Sequence, residues 1–530
     1  VILLNPSHIE SLSNRGLSYF KRQDFNSAIA SFKSALNIDP NCTEAWSNMG
    51  MALYEIKDFS GALSAYDKAI SLNSSFKEAW TNRGVVLNEL KRYEEALDCQ
   101  NVALELNLNY EDAWSNRGIT LEHLKKHDKA LESINKAIEL KPQFGEAWSH
   151  RGNILKELQR PDEALKSYDQ AIKIKPDYAE AWFNRGVTLE NLKHYDEALV
   201  SYEKAIALQS NYTEAIFNLA VMKLYRLDFI DGWVGYESRW RTKEFNSKPL
   251  STSKPRWRGG KGEQRLLIWA EQGIGDLILY GSILNDFKNF PQKKIVSADT
   301  KLIPLLQRSF PNYQFIDKTE LVSEDLYDEQ IAIGSLGQFF RKEVADFKNA
   351  TYPYLVDDPI KTQKIKSSPL FHNKKTCGIS WRSANQKLGK EKSVSLIDLL
   401  PILSTSDMQF INLQYGDTTE EIADLKEKRQ LSIDSVPEID VFNDIDGVLS
   451  IISACDLIIT TSNSTAHLAG ALGKETLLLT PYSVGKFWYW HDIDGISLWY
   501  PSVRVFPQTA QGDWAEPINT IKAYLEANDG

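Results

Sequence analysis

Tryptophans recur through the first half of the chain at Trp46, Trp80, Trp114, Trp148 and Trp182, a spacing of about 34 residues. One step back from Trp46 falls on Leu12 and one step forward from Trp182 on Ile216. Four positions after each stands a small residue: Gly16, Gly50, Gly84, Gly118, Gly152, Gly186 and Ala220. A second small series, Ala28, Ala62, Ala96, Ala130, Ala164 and Ala198, marks where a second helix must cross close over the first. Tyr66, Tyr168 and Tyr202 follow on the same helical face, and Pro40, Pro142 and Pro176 break the chain before the next unit. The pattern predicts helix pairs, none able to bury its apolar face alone, stacked into a superhelix with a concave groove. From Arg265 the texture changes to short apolar runs alternating with helical stretches, which predicts parallel strands with crossover helices. RLLIWAE, KKIVSAD, YQFID and QIAIGSL form one expected sheet, and TCGISW, QFINLQ, DLIITT and TLLLT a second.

The helical part resembles the tetratricopeptide repeat (TPR), with six complete units and a decaying seventh over roughly residues 8 to 240. Two positions after each Trp-equivalent stand Asn14, Asn48, Asn82, Asn116, Asn184 and Asn218, with His150 in one repeat. A carboxamide both donates and accepts, so such a row can hold the backbone of an extended peptide without selecting its sequence. The row looks like the asparagine ladder of the O-linked N-acetylglucosamine transferase family. The plainer alternative is that these residues tether neighbouring helices. Arg15, Arg83, Arg117, Arg151 and Arg185 come next and are expected to pack between repeats. Glu44, Glu78, Asp112, Glu146 and Glu180 suit the positive ends of their helices.

Residues 1–225 are therefore assigned to the repeats, and 226–262 to a capping helix and linker. A first Rossmann-like domain is expected over 263–365 and a second, with a C-terminal helix returning across the pair, over 366–530. In the junction, GWVGYESRWR places Trp233, Tyr236 and Trp240 on one stripe expected to shield the last repeat.

Composition narrows the classes. Hydrophobic residues at 42% and charged residues at 25% fit folded domains rather than disorder. A net charge of −10 opposes binding to nucleic acid or an anionic membrane. The four cysteines form no CxxC pair and have no suitably spaced His, so neither a disulfide framework nor a structural metal is indicated. No apolar run approaches a membrane span, and Val1 to Asn5 are too short and uncharged for a signal peptide, so a cytoplasmic protein is expected.

Two motifs carry candidate chemistry. In EQGIGDLILYG, Gly273 and Gly275 permit a tight turn after a strand and Asp276 opens a helix. The third glycine and the ribose-binding acid of the dinucleotide fingerprint are missing, which argues against a nicotinamide site. In TSNSTAHLAGALG, the hydroxyls of Thr461, Ser462, Ser464 and Thr465 precede a helix whose free N–H groups and dipole favour an anion such as a diphosphate. Ordinary helix capping is the simpler reading.

Together these pieces, with the terminal WYPSVRVFPQ segment, resemble glycosyltransferase family 9, heptosyltransferase-like enzymes of the two-domain GT-B fold. The fused form is similar to bacterial TPR-containing glycosyltransferases related to flagellin-modifying enzymes. The resemblance implies an α-helical TPR superhelix followed by an α/β GT-B module of two Rossmann-like domains. It further implies Asp276 as general base, with Glu271 as the fallback, and donor contacts from Gly273, Gly275, Arg382, Lys387, Lys392, Ser462, Asn463, Ser464, Thr465 and His467. Ser462, Asn463 and Ser464 stand where heptosyltransferases carry Asp-Thr-Gly, which leaves the donor open. Asp444 with Asp446, and Asp492 with Asp494, are expected to be surface acids, and Trp488, Tyr489 and Trp490 to pack beneath the cleft.

The resulting expectation is an inverting glycosyltransferase that needs neither metal nor cofactor. It would move a sugar from a nucleotide-sugar to a hydroxyl of an acceptor protein, flagellin-like by the resemblance, held at Asn48, Asn82, Asn116, His150, Asn184 and Asn218. The rivals are a peptide-binding scaffold with an inactive nucleotide-sensing module, and a transferase for a glycan or lipid.

Overall fold

The computed structural model describes residues 8–528 except 244, 321, 373, 386 and 405–407, and the side chains of all these but 288 and 289. It falls into two compact units, Val1–Ser210 and Asn211–Gly530.

The first unit is six helix pairs: Ile9–Lys21 with Phe25–Ile38, Thr43–Glu55 with Phe59–Leu72, Lys77–Glu89 with Tyr93–Leu106, Glu111–His123 with His127–Leu140, Gly145–Glu157 with Pro161–Ile174, and Ala179–Asn191 with Tyr195–Leu208. The recurring glycines let each pair close. A Cβ on Gly16 would meet the Phe32 ring at 2.5 Å, one on Gly50 the Tyr66 ring at 2.8 Å, and one on Gly152 the Tyr168 ring at 2.5 Å. The second small series is fully buried at the crossing, at 0% exposure from Ala28 to Ala198. Each tryptophan anchors the chain that precedes its helix, since its Nε1 donates to the carbonyl six residues back: Trp46 to Pro40 at 2.8 Å, Trp148 to Pro142 at 3.0 Å, Trp182 to Pro176 at 3.1 Å. The arginines join repeats as expected. Arg151 donates to Asn135 on one side and Ser167 on the other, and Arg185 to Asp169 and Ser201. A further periodic feature carries no glycine: Gln23, Lys57, Lys91, Lys125, Gln159 and Lys193 all turn the chain between paired helices with φ between 57° and 63°.

The second unit opens with a seventh pair, Thr213–Tyr225 and Phe229–Tyr236, followed by a 3-10 turn, Glu237–Arg241. The pair closes because a Cβ on Gly232 would meet Leu224 at 2.8 Å and one on Gly235 would meet Ala220 at 2.7 Å. The stripe does pack on the helix Thr213–Tyr225, where Tyr236 lies 5.8 Å from Phe217, and it also enters the core of the α/β half. Trp233 and Tyr236 lie within the cluster that includes Leu266, Ile268, Tyr280 and Trp488, while Trp240 is half-buried and packs on Trp269 at 5.3 Å. The pair expected within residues 1–225 and the linker thus belongs to the second unit.

Two sheets follow. β1 (Leu266–Trp269), β2 (Lys294–Ala298), β3 (Gln314–Asp317) and β4 (Glu329–Ala332) lie parallel in the order β3-β2-β1-β4. β5 (Lys375–Ser380), β6 (Met408–Asn412), β7 (Ile433–Asp434), β8 (Leu457–Thr461), β9 (Thr476–Thr480), β10 (Asp492–Ile493), β11 (Ile496–Ser497) and β12 (Val503–Pro507) form the second, ordered β10-β11-β12-β9-β8-β5-β6-β7. From β7 to β12 the strands are parallel and follow the doubly wound order, reversing between β5 and β8. All eight strands expected from the sequence are present. β12 falls in the WYPSVRVFPQ segment, where Pro501 precedes the strand and Pro507 is its last residue. The helix Ala515–Asn528, expected to cross the pair, packs on the second sheet, where Ile518, Ile521 and Leu525 join Cys377, Trp381 and Leu477 in one apolar cluster.

Candidate functional site

In a doubly wound sheet, ligands bind beyond the carboxyl ends of the strands where the order reverses. A cavity of about 1110 Å³ lies there, reached by the ends of both sheets. The turn after β1 supplies Glu271, Gly273, Gly275 and Asp276; the loops after β5 and β6 supply Ser383, Lys387, Lys392 and Tyr415; and the loop after β8 supplies Ser462, Asn463, Ser464 and His467. The structure therefore brings the two sequence motifs to one site.

Asp276 sits in the first turn of the helix Ile274–Gly281, half-buried at the cavity wall. Burial pushes its carboxyl up to about 6; the charge of Glu271 adds to this, while the Gly273 amide and the Lys392 ammonium oppose it. Gly275 is required by contact: a Cβ there would lie 2.9 Å from the His467 ring. Gly273 has an ordinary φ of −77°, and a Cβ there would make only an ordinary contact, 3.7 Å from Asp276 Oδ2.

Facing the turn, Lys392 is 5% exposed, its Nζ 4.3 Å from the centroid of the Phe487 ring. Burial draws it down to about 8, and Asp276 resists that fall. The Ser462 hydroxyl is buried on the cavity wall without a hydrogen-bond partner. It stands just before the helix Ser464–Ala471, whose first residue, Ser464, lines the cavity. A buried hydroxyl, an ammonium and a helix N-terminus together make an environment suited to an anion.

Other expected contacts are occupied within the protein. Arg382 pairs with Glu421 at 2.8 Å, donates to the Asp417 carbonyl at 3.0 Å, and does not line the cavity. Asn463 is spent as a cap and brace: its Oδ1 accepts from the Thr465 amide at 2.9 Å and its Nδ2 donates to Ser380 at 2.8 Å. Thr465 is buried away from the cavity. His467 contacts Tyr500 at 3.0 Å and is held neutral by burial, at about 3. Glu271 is engaged on both oxygens by Arg239 and Gly334, an arrangement at odds with service as a base. Asp446, expected at the surface, is 7% exposed and paired with Arg308 and Lys361. Trp488, Tyr489 and Trp490 are buried, and Tyr489 borders the cavity.

In the first unit, Asn48, Asn82, Asn116, His150 and Asn184 all lie half-buried on the first helices of their pairs. Among the described residues the four carboxamides have no hydrogen-bond partner, so they tether no neighbouring helix there. Burial lowers His150 to about 4. Asn218 lies in the second unit.

Tetratricopeptide-repeat profiles match residues 16–57, 43–76, 77–110, 111–144, 152–193 and 179–212. The first unit is built of tetratricopeptide repeats. The chain is 30% identical over 322 residues to Protein FlbA of Caulobacter vibrioides, an alignment covering 56% of this chain and 52% of that protein. The chain thus spans about half the length of the curated relative it matches. Among solved structures, YrrB, described as a TPR protein with an unusual peptide-binding site, is 28% identical, covering 35% of this chain and 96% of that one, with a TM-score of 0.28. MamA is 28% identical over 31% of this chain and 96% of its own, also at 0.28. Pseudomonas aeruginosa PilF is 22% identical over 39% and 94%, at 0.35. Among the described residues no helix is long and apolar enough to cross a membrane.

Proposed function

We propose that the second unit is an inverting glycosyltransferase that moves a sugar from a nucleotide-sugar to a hydroxyl of an acceptor protein recruited by the repeats. The observation that carries this reading is one cavity holding a carboxyl tuned upward, Asp276, and an anion-binding wall of Lys392, Ser462, Ser464 and the helix start behind them. Asp276 takes the proton of the attacking hydroxyl as its oxygen bonds to the anomeric carbon. The bond to the diphosphate breaks on the opposite face, and the departing charge is met by Lys392, Lys387 and the N–H groups at Ser464. The resemblance to family 9 transferases supports the same assignment. Free carboxamides at Asn48, Asn82, Asn116 and Asn184 support a peptide partner for the repeats.

The test is release of nucleoside diphosphate from a panel of UDP-, GDP-, ADP- and dTDP-sugars by the full chain, with and without a lysate fraction supplying acceptors. The reading expects release from one donor class, abolished in Asp276→Asn while nucleotide binding persists. Release unchanged in Asp276→Asn removes the base assignment.

A further inference from the structure

Beneath the cavity lies a buried charged network that the proposed mechanism leaves unused. Arg239 is 0% exposed, and all five of its N–H donors are committed. Its Nε donates to Glu271 Oε2 at 2.8 Å, its Nη2 to Glu271 Oε1 at 3.2 Å and to Ser335 at 2.8 Å, and its Nη1 to Glu237 at 2.9 Å and the Tyr236 carbonyl at 3.3 Å. The guanidinium also stacks against Trp240 and Tyr236, 4.3 and 4.7 Å from their ring centroids. Glu271 accepts a further bond, from the Gly334 amide at 2.8 Å. Gly334 has no room for a side chain, because a Cβ there would lie 2.0 Å from Glu271 Oε1.

We propose that Arg239 and Glu271 form a positioning pair that fixes the turn bearing Asp276 and sets the net charge its carboxyl meets, an inference that rests on Asp276 being the base. Three observations carry it. Glu271 lies between the end of β1 and the turn, so gripping both its oxygens and the Gly334 amide fixes the start of that turn. It also borders the cavity while being 6% exposed, so its charge reaches Asp276 through little water. Finally, a buried ion pair is a poor device for stability alone, since well-packed apolar groups of the same volume serve as well or better. The groups facing Asp276 are Glu271 and Lys392, the phenols of Tyr236, Tyr280 and Tyr489, and the neutral His467 against Gly275. Glu271 is the negative member of that set, and Arg239 is its counter-charge. Because Arg239 comes from the 3-10 turn just after the seventh helix pair, the same bond ties that pair to the base.

The experiment is a pH titration of the Asp276 carboxyl in the full chain, carrying aspartate isotopically labelled at its carboxyl carbon, with Asp276→Asn to assign the signal. It needs no substrate, so it stays readable if the transferase assay fails. In Glu271→Gln a negative neighbour is lost while Arg239 remains, and the midpoint is expected to fall by on the order of one pH unit. In the double variant Arg239→Gln with Glu271→Gln, both charges go and the midpoint returns towards wild type. Should Glu271→Gln fail to fold, Arg239→Gln is read instead. Arg239→Gln leaves the negative Glu271 facing Asp276 without its counter-charge, so the midpoint is expected to rise. An unchanged midpoint in whichever variant is read overturns the proposal, as a purely structural pair would weaken the fold without moving it.

Discussion

The indole Nε1 of Trp233 donates to the carbonyl of Arg341 at 2.7 Å, and the Trp233 ring sits over Gly337 and edge-on to Trp488 at 5.3 Å. A residue on the seventh helix pair is thereby a core residue of the α/β half. A fragment spanning 211–530 is expected to unfold in one cooperative transition, whereas 263–530, which lacks Trp233, Tyr236 and Arg239, is not. In the full chain Trp233→Ala should cost about 3–5 kcal/mol. Thermal and urea unfolding check both; cooperative melting of 263–530 at the temperature of the longer fragment would contradict this account.

The repeat turns hold ordinary residues in a left-handed backbone that costs an L side chain roughly 1–2 kcal/mol. Lys91 and Lys125, at φ of 60° and 57°, make the substitution to glycine informative. Lys91→Gly and Lys125→Gly are each expected to stabilise the first unit by about 0.5–1 kcal/mol, since relief of strain outweighs glycine's greater freedom in the unfolded chain. Urea midpoints measure it, and a loss of stability in both variants would refute the strain argument.

On the proposed mechanism, Asp276 links activity to pH. A base must be unprotonated, and this carboxyl ionises near 6 rather than near its ordinary value of about 3.9, so turnover should climb as pH rises through about 6. The same shift has a stability consequence. The folded-state value lies above the unfolded one, so the group's contribution is complete below the ordinary aspartate range and is lost as pH rises through about 6. Asp276→Asn should therefore raise the melting temperature at pH 7 to 8 relative to wild type and lose that advantage in acid. A difference that does not change with pH would count against the buried, raised carboxyl.

Ser462 separates binding from folding. Its hydroxyl has no hydrogen-bond partner among the described residues, so Ser462→Ala removes an unsatisfied buried group and should leave stability equal or higher. A hydrogen bond to a charged group is worth about 1.5–3 kcal/mol, so nucleoside diphosphate affinity should fall roughly tenfold or more. Calorimetric titration with the nucleotide identified by the panel reads the affinity, and unaltered binding would remove Ser462 from the anion site.

Much of the architecture was legible because it repeats or alternates. The Trp and Gly periods gave the helix pairs, and eight apolar runs gave eight strands. The candidate site was legible where it is local: the turn at Asp276 and the hydroxyls of Ser462 and Ser464, both read as motifs, line one cavity. What escaped depends on partners distant in sequence. Arg382 resembles a phosphate ligand until Glu421, on the later helix Thr419–Arg429, claims it. Arg239 looked like one of several basic residues in an aromatic junction, and nothing local marks Glu271 as its partner. The left-handed turns were hidden for another reason: glycine, their usual sign, is absent from all of them, although their positions share the period of the tryptophans.

The central claim is that the cavity holds a nucleoside diphosphate, and the most direct measurement is thermal unfolding of the full chain against UDP, GDP, ADP, CMP and dTDP and their sugar conjugates. A ligand at about 100 times its dissociation constant should stabilise the fold by roughly 2.7 kcal/mol. The account predicts a selective upward shift with one diphosphate class, lost when Lys392→Met is combined with Ser462→Ala. Melting temperatures that no nucleotide moves, or a shift that survives the double variant, would contradict it.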